Sequence, residues 1–502
     1  MVQKTVQIGE WVPDAYSSAE GVLKDVVNLI PSIDGYKGVM SFKGVTEPLP
    51  DWSDEARPLG AATFVRSDRS VVTVVGTQKN LYIRETLGSW RLVSKEENAY
   101  TSADSRWKFE LFGDLLIATN YADPVQCMNL STDTNFHDLS STAPRARDLA
   151  IVNEFLVLIN TVDEYDGVRP QRIWWSPIGD PQGEWVPNQT TMCDYQDVFA
   201  GSYITGVVGG EDALVMMRDA LVRMTFVGSP VVFQFQTLTT DYGNIGYDTY
   251  ASIEGTVFFL SETGFKQYEG GVVKPIGMGK VDNFAWNDTM GLVLSEAIAG
   301  IDLRNNCVWW AYRSKKAIET EYEGLTDKAL VYHYPSGKWG KVHQVLASFC
   351  YVNTKGYSLD ELDEVSNKID ELPFSLDSEA WRGGVPVLAG FSKTGEFGYF
   401  YGDFYEGQLI TGHFPLNEAS RRVFIRRVRP RVDGTDTTIK VAMSGIQDEQ
   451  DTAIYTSLVG KTRVGDFPFR VSGRFHSIKM TIAGAFNRIM GFLLDFDDAG
   501  EF

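Results

Sequence analysis

The most constraining feature of this 502-residue chain is a punctuation pattern. Short runs rich in Val, Phe, Tyr and Thr, such as "SVVTVVGTQKNLYIRE", "FLVLINTV" and "ALVMMRDALVRMTFVG", are broken at short intervals by Gly, Asp or Asn. β-branched and aromatic residues favour strands, and the interrupting residues favour tight turns. "FLSETGFKQYEGGVVKPIG" shows the unit most plainly, because Thr263-Gly264 and Gly270-Gly271 place two turns among three short strands, a meander. Long amphipathic helical patterns are scarce. "SSAEGVLKDVVNLI", Ser17 to Ile30, is the one helical pattern expected, although Gly21 and its β-branched residues weaken it.

The pattern repeats. Strand clusters begin near Leu81, Leu115, Phe155, Ala213, Thr256 and Cys307, on average about 45 residues apart. Four-stranded propeller blades recur every 40–50 residues or so. The adjacent tryptophans in "RIWWSP" and "CVWWAY" would then pack between neighbouring blades. The alternative reading of the same strands is a large double β-sandwich with ordinary aromatic cores.

The texture changes near Ser358. An acidic run is followed by "RRVFIRRVRPRVDGTDTTIKVAMSGI" and "FRVSGRFHSIKMTIAGAFNRIMGFLLDF", which alternate with period two. The expected fold is therefore mainly β: a propeller with a second, sandwich-like antiparallel platform domain. Its divisions are an N-terminal segment, 1–60, packing on other domains; a propeller, 61–355; and an acidic connector with the C-terminal β domain, 356–502.

Composition limits function. Asp plus Glu number 66 against 46 Lys plus Arg, a net charge of −20, which disfavours coating DNA but not letting DNA pass. The start lacks an apolar signal-peptide core, and no apolar run approaches the roughly 20 residues of a membrane span, so a soluble protein is expected. The four cysteines, Cys127, Cys193, Cys307 and Cys350, form no CxxC pair and sit in apolar contexts, as buried reduced thiols would.

Motifs for chemistry are missing. The five histidines, His137, His333, His343, His413 and His476, have no metal-ligand spacing. No GxSxG elbow appears, "GVVGGEDA" lacks the Lys-Ser/Thr of a phosphate loop, and "GMGKVD" lacks the third Gly of a dinucleotide fingerprint. "WWSPIGDPQGEW" has the hairpin-then-Trp shape of a propeller-glycosidase Asp-box without its Ser-x-Asp spacing. No catalytic residue, cofactor or metal is expected.

Two charged runs need an account. In "SLDELDEVSNKIDELPFSLDSEAW", Ser358 to Trp381, the acids come as Asp-Glu pairs with no Gly among them, unlike a calcium loop. Leu359, Leu362, Val365, Ile369 and Leu372 recur every three to four residues, so a solvated amphipathic segment is the expectation, with an electrostatic contact to a neighbouring subunit and a metal site as the alternatives. The second run, "RRVFIRRVRPR", holds Arg421, Arg422, Arg426, Arg427, Arg429 and Arg431. An exposed sheet edge, a subunit interface and phosphate contact all account for it. Arg422, Arg426, Arg427 and Arg429 are the interface candidates.

Three stretches resemble one family. They are "DYGNIGYDTYASIEGTVFFLSETGFKQYEGGVVKPIGMGKVD", "LDEVSNKIDELPFSLDSEAWRGG" and "RVSGRFHSIKM". Together they resemble the tail tube or nozzle proteins of short-tailed double-stranded DNA bacteriophages, similar in role to packaged-DNA stabilisation proteins. The likeness spans about residues 240–500 and its motifs are structural. It implies a homo-oligomeric ring, sixfold as a rule, in the virion tail, folded and assembled in the host bacterial cytoplasm. The ring would sit below the portal and head-to-tail adaptor, carry tail fibres, spikes or a needle, and conduct double-stranded DNA without gripping it. The alternatives are a host-receptor or glycan-binding propeller and, less favoured, a propeller glycosidase.

Overall fold

The computed structural model describes residues 2–16, 21–52, 57–66, 70–85, 88–101, 105–319, 325–353, 386–417, 421–434 and 436–498. The acidic run, Ser358 to Trp381, lies outside the described residues. No described helix is long and apolar enough to cross a membrane.

Antiparallel four-stranded units dominate. Blade one comprises Gly60–Val65, Val71–Gly76, Leu81–Arg84 and Trp90–Leu92; blade two spans strands from Lys108 to Asp138, blade three from Arg145 to Asp197, blade four from Ile204 to Thr239, and blade five from Tyr250 to Pro275. Blade six is Ile298–Asp302, Cys307–Tyr312, Thr326–His333 and Lys338–Leu346. Blade seven joins Ser348–Asn353, Pro386–Phe391 and Glu396–Phe404 to a strand from the other end of the chain, Met40–Pro48. Its inner strand lies against that of blade one and closes the ring. The structure is thus a seven-bladed propeller with a second β domain.

The strand starts read from sequence mark the same element in successive blades. Leu115, Phe155, Thr256 and Cys307 open second strands, and Ala213 lies one residue inside another. Leu81 opens a third strand instead, because blade one's second strand starts at Val71. The meander is present as Thr256–Ser261, Gly264–Glu269 and Val272–Pro275.

Adjacent residues on a strand face opposite ways, so each tryptophan pair serves two blade interfaces. Trp174 packs with Leu115, Ile117 and Cys127 of blade two, and Trp175 with Val215 and Phe233 of blade four. Trp309 meets Phe349 and Leu388 of blade seven, while Trp310 meets Phe258 and Phe265 of blade five.

The second domain is two packed sheets. One contains Leu23–Val27, Gly407–Thr411, Phe475–Ala485, Asp436–Ile446 and Val459–Gly460. The other contains Val2–Gln7, Arg488–Asp498, Val423–Asp433 and Phe467–Gly473, and it continues into blade six. The bridge is the hairpin Leu29–Ser32 and Gly35–Gly38, whose Leu29 pairs with Lys341 and whose Tyr36 pairs with Ile489. Tyr36, fully buried, accepts from Trp11 N–H at 2.8 Å and donates to the Trp339 carbonyl at 2.9 Å. One apolar core runs through the junction, from Trp310 and Trp339 to Ile425, Met480 and Phe496.

Three sequence readings are corrected here. Residues 23–32 are strands, not helix, because Asn28 turns the chain at φ 56° and both flanking segments pair with distant strands. Sheet pairing overrides a short local period. The propeller extends past residue 355, since 386–404 pair in blade seven. The N-terminal segment does more than pack on other domains: it supplies strands to both.

The stretch "SETGFKQYEGGVVKPIGMGKVD", Ser261 to Asp282, also gains a physical reason. A Cβ on Gly264 would lie 2.1 Å from Asp282 Oδ2, and one on Gly277 2.0 Å from Asp282 Oδ1. The Asp282 carboxylate occupies that space and accepts from Phe265 N–H at 3.1 Å. Burial pushes its pKa up to about 6. Asp282 opens the helix Asp282–Asp288, whose start is capped from far away by Asp14, accepting from Asn283 and Phe284 N–H at 2.8 Å each. Lys280 holds Glu10 at 2.8 Å. The motif therefore ties blade five to the N-terminal segment.

Candidate functional site

The arginine run forms the strand Val423–Asp433, flanked by Arg488–Asp498 on one side and Phe467–Gly473 on the other. It is an interior strand, so the sheet-edge reading is overturned. Val423, Ile425 and Val428 face the core. A bulge between Ile425 and Arg427 inserts Arg426 and resets the alternation, which turns both Arg426 and Arg427 outward.

Carboxylates of the same domain meet these arginines. Arg427 reaches Asp466 at 3.1 Å and Asp495 at 3.2 Å; Arg429 also pairs with Asp466, and Arg426 with Asp497. Arg422 Nε donates to Ser472 Oγ at 2.9 Å. Arg429 and Arg427 hold Asp466 below the usual carboxylate range, and Arg426 does the same for Asp497. Self-repulsion among the arginines therefore needs no neighbouring subunit to relieve it. The face they form remains the outer surface of the platform.

A second site lies on the propeller axis and was not singled out by sequence. A cavity of about 510 Å³ opens at the end where the inner strands begin, with walls running from Leu59 before blade one round to Ala347 before blade seven. Asp248 anchors its floor, with Arg106 Nε and Lys108 Nζ each 2.9 Å from its carboxylate. Lys108 also donates to the Tyr247 carbonyl at 3.0 Å. Next to it, Asp148 accepts from Tyr250 Oη at 2.7 Å and Leu149 N–H at 2.9 Å.

Burial and charge compete at these groups. Burial disfavours a charged Lys108, but Asp248 and Asp148 outweigh it and raise the lysine pKa. Burial pushes Asp248 up, and Lys108 and Arg106 pull it below the usual range. Asp148 is raised by burial despite Lys108. Glu110, two residues along the strand from Lys108, is pushed by burial up to about 7. Arg147 lies over two rings, 4.1 Å from the Tyr121 centroid and 4.2 Å from that of Tyr247. Arg218 donates to Tyr203 Oη at 3.0 Å and pairs with Glu262 at 2.8 Å.

No protein-family model matches the sequence, and no curated protein matches it. Among solved structures, virginiamycin B lyase from Staphylococcus aureus is 10% identical at a TM-score of 0.38, over 72% of this chain and 99% of that one. The N-terminal domain of Nup159 is 11% identical at 0.37, over 76% and 99%. A chain of the Mitotic Checkpoint Complex is 10% identical at 0.39, over 74% and 96%. The fold assignment rests on this chain's own strand pairing, and no activity follows from such distant likenesses.

Among the described residues, no three of His, Cys, Asp or Glu gather as a metal ion would need. The axial residues carried no readable sequence signal. Arg106, Arg147 and Asp248 are far apart in sequence, and each merely stands at or just before an inner strand.

Proposed function

We propose that the chain is a structural subunit of a tail ring in a short-tailed double-stranded DNA bacteriophage. The ring would extend the portal–adaptor channel, retain packaged DNA and conduct it at ejection. The supporting observation is the weld between the two domains. A ten-stranded sheet runs from blade six into the platform, over a core shared by both. A junction of this kind resists hinge motion, as a load-bearing ring element requires. The motif that carries the sequence resemblance, with Gly264, Gly277 and Asp282, fastens the N-terminal segment beside that weld.

The test is co-expression with the portal and adaptor proteins of the same genome, followed by electron microscopy. A closed ring with a duplex-wide hole, docked on the adaptor, is expected. A chain that stays monomeric and leaves the adaptor bare would overturn the reading. A second reading, a tail propeller that binds a host receptor or glycan, is favoured by the open axial cavity with its charged wall.

A further inference from the structure

We propose that the axial cavity binds an acidic monosaccharide unit, anchored through its carboxylate or phosphate by Arg147. The inference rests on the binding-propeller reading of this cavity and stands apart from the ring.

The charge of the wall runs against that of the chain. In a protein of net charge −20, the ionic side chains lining this cavity are Arg57, Arg106, Lys108, Arg147, Arg218 and Arg313 against Asp248 and Glu296. Arg313 pairs with Glu296, Arg218 with Glu262, and Asp248 is shared by Arg106 and Lys108, whereas Arg147 has no described ion pair of its own. Focusing by low-dielectric walls strengthens such a local excess.

Arg147 differs from the others. No described carboxylate forms an ion pair with it, although it helps hold Asp248 below the usual range; its Nε is sealed from solvent, so the terminal nitrogens are the ones a ligand could reach. The rings of Tyr121 and Tyr247 both lie against it, with centroids 4.1 and 4.2 Å from the guanidinium carbon. A stacked guanidinium keeps its in-plane N–H groups for an acceptor, and their fork matches two oxygens of a carboxylate or phosphate. Stacking on rings offsets only part of the cost of a partly desolvated cation; an oxyanion completes it.

The cavity is larger than an ion needs. About 510 Å³ falls in the size range of small-ligand sites. Its wall mixes apolar groups (Leu59, Ile245, Val293) with polar ones, among them Tyr203, whose hydroxyl accepts from Arg218 and keeps its own proton to donate. That lining suits a polyhydroxylated body.

Calorimetry on the full chain at low salt and pH 7 tests this, with glucuronate, glucose 6-phosphate and neutral glucose as probes. At least one acid is expected to bind about tenfold or more tighter than glucose, as a charge-assisted pair requires. Binding of glucuronate alone identifies the carboxylate form, glucose 6-phosphate alone the phosphate form, and both together recognition of the oxyanion itself. Arg147→Lys keeps the charge but removes the fork, and is expected to weaken binding about ten- to hundredfold. Should that variant misfold, the wild-type contrast between acids and glucose still decides. Equal binding of glucose, no binding of either acid at about 10 mM (the weak limit of a specific site), or unchanged affinity in a folded Arg147→Lys protein overturns the proposal. None of these outcomes touches ring formation.

Discussion

Replacing Glu110 by Gln is expected to stabilise the protein, and more so as pH rises. Glu110 lies in the strand Lys108–Phe112, the inner strand of blade two. Phe109 and Leu111 pack toward blade one, and Phe112 packs with blade three. Alternation puts Glu110 on the blade-three side with Lys108, facing Asp148. Burial, with a smaller push from Asp148, raises its pKa from 4.5 to about 7, against the Leu111 N–H that donates to it at 3.4 Å. The native state therefore holds a proton that the unfolded chain releases. The stability tied to that proton is fully present below pH 4.5 and is lost as pH rises to about 7. At 1.36 kcal/mol per pH unit the ceiling is about 3 kcal/mol, reduced to about 2 by the solvent the side chain still meets. Gln keeps the acceptor and cannot ionise. Thermal melts of both proteins from pH 5 to pH 8 should show the variant gaining on wild type across that range. For a chain of this size melting as one unit, the gain is about 2 °C. A gap that is constant with pH, or that narrows toward pH 8, would refute the burial argument.

Other expectations follow from single contacts. Tyr36→Phe leaves the Trp11 N–H and the Trp339 carbonyl unpaired inside the junction, so it should cost about 2–4 kcal/mol and expose the N-terminal segment to limited proteolysis. Arg427→Glu sets a third carboxylate beside Asp466 and the buried Asp495; it should destabilise the platform by about 2 kcal/mol or more, read as a lower melting temperature. Arg426→Glu, at an exposed pair, should leave the melting temperature nearly unchanged, and is therefore the cleaner variant for assaying ring assembly. All four cysteines are buried, and burial pushes Cys127 and Cys193 up to about 12, so a thiol reagent at pH 8 should label none in the native protein and four after denaturation.

The propeller was legible because its blades are local. Each of blades two to six is a run of consecutive strands, and turn residues such as Gly264 and Gly270 announce where they bend. Blade seven was not legible, for two physical reasons. Residues 354–385 interrupt it between its first and second strands, and its fourth strand comes from the N-terminal region. Pairing across such a distance leaves no periodic trace. The segment 17–30 misled because Leu, Val and Ile spaced for a helix serve equally well in a short half-buried strand once a turn residue, Asn28, divides it. The arginine run was legible as charge but not as partnership, because Asp466, Asp495 and Asp497 come from other strands. The axial cavity is a product of ring closure alone, and only the closed ring brings Arg106, Arg147 and Asp248 together.

The shared use of both chain ends sets an order on biosynthesis. Met40–Pro48 leaves the ribosome before every other propeller strand, yet its partner, Glu396–Phe404, emerges after all the rest. Val2–Gln7 waits longer still, for Arg488–Asp498. Blades two to six can form while translation proceeds, each from a contiguous stretch. Ring closure and the platform cannot, and each of the earliest-made strands remains an open edge until its own late partner arrives. A product that stops before Glu396 lacks both closures, whereas one that stops between Phe404 and Arg488 closes the ring and lacks only the platform strand. The platform sheet is thus completed by Val2–Gln7 only once Arg488–Asp498 is in place, whatever the chain has folded before it.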